Sequence, residues 1–177
     1  MTQTFVFSRL GAILATCLLL PISAFAHATL EVKQAQRNAS YKAIMRIGHG
    51  CGSSPTLKVR IRIPDGYVNV KPMPKAGWTL ETIIGPYAKA YELEHAKISE
   101  GVKEIIWTGK LLDSHYDEFI MNGTIADDVE VGSTLWFPTV QECESGFNRW
   151  IEIPAAGKSS SDYKEPAPGV KITTPAQ

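Results

Sequence analysis

The stretch "TLKVRIRIPDG", Thr56 to Gly66, alternates Leu57, Val59, Ile61 and Ile63 with Lys58, Arg60 and Arg62. Successive residues of a strand point to opposite faces, so this period of two marks a sheet with one buried and one wetted side. Pro64-Asp65-Gly66 then turns the chain. The same pattern recurs in "ASYKAIMRIG", "GYVNVKP", "WTLETIIG", "YAKAYELE", "VKEIIWTG", "YDEFIMNGTI", "GSTLWFPTV" and "NRWIEIP". Gly and Pro punctuate the joins. Short strands at this spacing predict an all-β, antiparallel β-sandwich. No helical stripe of useful length is present. "HAKISEG" has weak helical character and reads better as a hairpin connection.

The front of the chain obeys a different rule. "MTQTFVFSR" carries one arginine and no acid, and an apolar run follows. Ala24-Phe25-Ala26 then supplies small residues at both positions a signal peptidase needs. The run is short for a membrane span of about 20 residues. A rival reading lipidates Cys17 in "LATC", but Thr16 fits poorly there and the apolar run continues past it. Residues 1–26 are therefore expected to be a signal peptide, and the product periplasmic or secreted. No second apolar run of membrane length occurs.

Cleavage leaves Cys51 and Cys143, an even pair in an oxidising compartment and outside any CxxC. They are expected to form a disulfide, with a soft-metal site as the alternative. The mature chain of about 150 residues suffices for one domain with a core. The full chain's 18 basic and 18 acidic residues give no electrostatic attraction to nucleic acid or an anionic membrane. After Pro154, "AAGKSSSDYKEPAPGVKITTPAQ" is rich in Ser, Pro and Lys. Residues 156–177 are expected to form a mobile tail or an extended wrap around a domain of residues 27–155.

Enzyme templates are absent: no GxSxG, HExxH, GxGxxG or Walker sequence is found. Of the four histidines, His95 and His115 fall in connections and read as surface residues. His49, in "IGHGCGSS", is either a strand-end histidine or an added polar group near a metal. His27 is set apart by the cut, which frees its α-amine. Such an amine has an ordinary pKa of about 7.7–8.0 and yields its proton readily to a metal. Amine and imidazole Nδ1 together close a chelate ring, and nitrogen donors in a tetragonal arrangement suit Cu(II). Against this stands the plain fact that any residue can follow a cleavage site.

From His27 to about Pro154 the chain resembles the YcnI-type copper-binding domain of bacterial exported proteins. The likeness is carried by "HATLEV", "LKVRIRIPDGYVNVKPMPKAGWTLE", "EIIWTGKLLDSHYDEF", "VQECESGFNRWIEIPA" and a trailing "PAPGV". The resemblance implies an immunoglobulin-like or cupredoxin-like sandwich. It also implies Cu(II) held in a mono-histidine brace, with His27 as the brace and Trp150 close to the metal. Some relatives carry a glutamate where this chain has Lys42, and some end in a membrane helix. Glu31, Glu118, Glu142 and Glu152 are then the candidates for a completing carboxylate. The expected role is to hold, buffer or deliver copper, in exchange with other exported copper chaperones or membrane copper transporters. The alternatives are a copper-dependent oxygen-activating enzyme using His49 as a second ligand, and a metal-free interaction module. Alternation within "NRWIEIP" sets Trp150 and Glu152 against Ile151 and Ile153, and the isoleucines are expected to face the core.

Overall fold

The computed structural model describes residues 27–93 and 96–175. The expected signal peptide, with Cys17, and His95 lie outside them. Twelve strands follow in order: β1 (Thr29–Leu30), β2 (Gln34–Gln36), β3 (Ala39–Ile47), β4 (Thr56–Arg62), β5 (Tyr67–Pro72), β6 (Thr79–Leu93), β7 (Ala96–Leu111), β8 (Asp117–Ile125), β9 (Thr134–Trp136), β10 (Thr139–Cys143), β11 (Phe147–Trp150) and β12 (Gly169–Thr173). One sheet runs β1-β3-β8-β5, a second β11-β10-β4-β7-β6, and a third, small one β2-β12-β9. The all-β sandwich read from the sequence is therefore the fold.

Alternation builds the core. On β4, Val59, Ile61 and the following Ile63 are at most 4 % exposed, opposite Tyr41, Ala43, Met45 and Ile47 of β3 and Phe119, Met121 and Ile125 of β8. Trp107 of β7 meets Phe119 edge to face at 5.5 Å between ring centroids. The alternation slips once, at the start of β4. A register shift between Thr56 and Lys58 turns Thr56 inward and leaves Leu57 half-buried, as a bulge does by adding a residue to one strand.

Three expectations change. "WTLETIIG" and "YAKAYELE" are one strand, β6, that runs through Gly85-Pro86. Proline is tolerated there because β6 is a sheet edge and a register shift follows Pro86. "HAKISEG" supplies no helix: from Ala96 onward it is β7, paired back on β6.

The third change concerns residues 156–177, which hold more than a tail. After a short 3-10 turn at Ser160–Asp162 the chain enters β12, with Val170 and Ile172 at 0 % and 1 % exposure. This is the extended wrap, and it moves the end of the folded unit from residue 155 to Thr173. β12 pairs antiparallel with β9 and parallel with β2, and an isolated parallel bridge joins Glu152 to Pro166. Pro138 divides "GSTLWFPTV" into β9 and β10, freeing β9 to join this third sheet.

Candidate metal centre

His27 stands just before β1 at one end of the sandwich. Its Nε2 lies 3.2 Å from the carbonyl oxygen of Lys164 in the C-terminal wrap. A carbonyl only accepts, so Nε2 is the donor in this contact. The same ring meets Trp150 edge-on, with centroids 5.2 Å apart and planes at 83°. In the 177-residue chain the His27 backbone nitrogen is bonded to Ala26. Cleavage there would turn it into an amine on the residue that also carries Nδ1. That donor set suits a tetragonal, nitrogen-binding cation.

Trp150 is 4 % exposed, while Ile153 is 54 % exposed and Ile151 half-buried. The expected facing of this strand is thus reversed. Alternation tells which side chains share a face, not which face is inward. Here the decision falls to Gln141 on neighbouring β10, which is 1 % exposed. Its Oε1 accepts the Trp150 indole N–H at 3.4 Å and the Asn148 amide at 3.1 Å. Its Nε2 donates to the His49 carbonyl at 2.6 Å and to Thr56 Oγ1 at 2.7 Å. All four hydrogen-bonding positions of a buried amide are filled, which removes the penalty for burying it.

His49 enters this network through its backbone. Its ring Nδ1 contacts the Gly50 carbonyl, and Asp113 Oδ1 accepts the Gly50 N–H at 2.8 Å. The His49 ring shares a depression of about 670 Å³ with Asp113, Trp150, Lys164 and Glu165. The next residues are fastened by the Cys51–Cys143 disulfide, with Cα atoms 6.0 Å apart.

The four candidate carboxylates are all engaged. Glu31 pairs with Arg46 at 3.2 Å, and Glu118 with the same guanidinium at 3.6 Å. Glu142 pairs with Arg60 and Lys58. Glu152 accepts the Glu165 N–H at 2.6 Å, tying the segment after β11 to the wrap. Among the described residues no three His, Cys, Asp or Glu side chains gather as a metal site; a brace needs one histidine and its own amine. His115 is exposed in the connection between β7 and β8. The sequence reading missed Lys164, Glu165 and Gln141. The first two sit in a polar stretch without periodicity, and a lone glutamine in a strand gives no signal of its own.

Solved structures include one with the same fold, described as an uncharacterized protein from Nocardia farcinica with an immunoglobulin-like fold. It aligns with a TM-score of 0.60 at 18 % identity, over 84 % of this chain and 99 % of that one. No curated protein matches. A family model described as "Domain of unknown function (DUF1775)" matches residues 27–172, running from His27 through the wrap to Ile172 near the end of β12. The chain belongs to the DUF1775 family.

Proposed function

We propose that this protein is an exported Cu(II)-binding protein that holds, buffers or delivers copper through a His27 freed by cleavage after Ala26. The observation that carries the reading is the Nε2 contact with the Lys164 carbonyl. A ring that donates from Nε2 is the tautomer in which Nδ1 acts as an acceptor, and Nδ1 is the ring nitrogen that can chelate together with the amine of its own residue. Metal-binding histidines characteristically donate their other ring N–H in this way. Trp150 supports the reading as a neighbour: an indole makes no strong bond to Cu(II), but 5.2 Å from the imidazole it shields one side from water. Copper, when bound, supplies a redox-active dication, and the chain supplies the donors and their shelter.

The role is binding rather than catalysis. It is exercised outside the inner membrane, where a signal-bearing precursor is delivered, and copper passes to or from exported chaperones or membrane transporters. Cu(II) titration of protein beginning at His27 tests the reading. One equivalent should bind tightly. His27→Ala, and separately one residue added before His27, should each weaken binding by about two orders of magnitude or more, because each breaks the chelate. Undiminished binding by both variants would overturn the assignment.

A further inference from the structure

We propose that the cleft beside His27 is a binding site for a small organic carboxylate with an apolar body. The cleft measures about 440 Å³ and lies between the N-terminal segment, β9, β12 and the C-terminal wrap. That volume is within the range of small-ligand sites, roughly 300–1,000 Å³. Leu30 and Ala167, 2 % and 3 % exposed, contribute to an apolar floor. Trp136 forms a wall. Its ring sits so close to Gly169 that a Cβ built there would come within 2.6 Å of Cζ3. Glycine at this point of β12 is what allows the indole to settle against the strand.

The charge on the cleft is one-sided. Lys33 and Lys171 both line it, and the Lys171 N–H donates to the Lys33 carbonyl at 2.9 Å, so the two residues are neighbours. Among the described residues neither is in an ion pair, and no Asp or Glu lines the cleft. In a chain with equal numbers of acids and bases this is a local surplus of positive charge. Two lysines lining an apolar hollow favour an anion, and the aromatic wall favours one that carries hydrocarbon. An inorganic anion would leave the floor unused.

The inference stands apart from copper, and its test contains none. Isotope-labelled protein in the presence of a chelator is titrated with phenylacetate and with its neutral counterpart, phenylacetamide, while backbone amide signals are followed. Phenylacetate should shift the Lys33, Trp136 and Gly169 amides saturably. Phenylacetamide should bind about fivefold more weakly or worse, as expected for two exposed charge contacts. Lys33→Gln combined with Lys171→Gln should bring phenylacetate down to the level of the amide. Trp136→Ala should weaken both ligands. Equal binding of acid and amide, shifts scattered over the surface, or no saturation up to about 10 mM, beyond any useful affinity, would overturn the proposal. The acid–amide comparison uses unmutated protein, so it stands even if a variant misfolds. Failure here leaves the copper reading intact, and failure of copper binding leaves this one intact.

Discussion

The indole N–H of Trp150 points at the side-chain oxygen of Gln141, 3.4 Å away, and the same amide reaches the His49 carbonyl with its nitrogen. One buried glutamine thus holds together a residue beside His27 and the loop that carries the disulfide. Gln141→Leu keeps the volume but strips partners from Trp150, His49 and Thr56 at once. Each orphaned buried group costs about 1–3 kcal/mol, so the variant should lose about 2–4 kcal/mol in urea unfolding. An unchanged midpoint would mean that water replaces the amide.

Trp150→Phe separates two roles of one side chain. Loss of the indole N–H from a site 4 % exposed should destabilise the fold by about 1–3 kcal/mol. If Trp150 also shelters the metal, the Cu(II) absorption and paramagnetic resonance spectra of the variant should change while stoichiometry stays at one. In the unmutated protein Cu(II) should quench Trp150 emission. A spectrum identical to the parent's would leave Trp150 with a packing role alone.

The Cys51–Cys143 bridge spans 92 positions of sequence. Loop closure of that length restricts the unfolded chain by the equivalent of about 4–5 kcal/mol. Replacing both cysteines by serine should therefore lower stability by about 2–5 kcal/mol, read as a fall in Tm without reductant. The parent in reductant should approach the same value.

Alkali should unfold the protein through its buried tyrosines. Burial raises Tyr41 from 10.0 to about 12, and raises Tyr67 further. Tyr41 donates to the Val32 carbonyl at 2.6 Å, and Tyr67 to the Tyr41 carbonyl at 2.8 Å. Above pH 10 the unfolded phenols ionise while the folded ones keep their protons, so the unfolded state binds fewer protons and stability falls as pH rises. The decline should run from about pH 10 to 12, measured as the urea midpoint at successive pH values. Tyr41→Phe should be less stable at pH 8 but lose less stability over that range.

The C-terminal wrap gives the fifth test. Ile172, 1 % exposed, packs with the main core, so Ile172→Ala should cost about 2–5 kcal/mol. A change at a loose tail would cost nothing measurable.

That strand also shows where sequence reading fails. In β3 and β4 the alternation runs long enough to state both the element and its buried face: Val59, Ile61, Met45 and Ile47 could be placed by inspection. β12 is five residues behind a Ser- and Pro-rich approach, and Val170 and Ile172 alone are too few to set a period. Its partners, β2 and β9, are three residues each. The sheet exists because three weak strands meet, which no single segment records. At the candidate centre the nearness of Trp150 to His27 was legible from the family resemblance. Lys164 was not, because a backbone carbonyl can come from any residue. The reversal at Ile151 and Ile153 has a similar origin, since the deciding partner, Gln141, lies on another strand.

The pairing of β2 with β12, and of His27 with Lys164 across 137 positions, would set the order of events if the chain crosses a membrane from its N-terminus, as the proposed export requires. Long-range contacts wait until both partners are present and the intervening loop has closed. His27 would then emerge early, yet the carbonyl that its ring meets belongs to a much later segment. Until that segment arrived, His27 would lack the Lys164 contact. A chain stalled before Lys164 would carry the proposed ligand residue without the carbonyl that its ring meets.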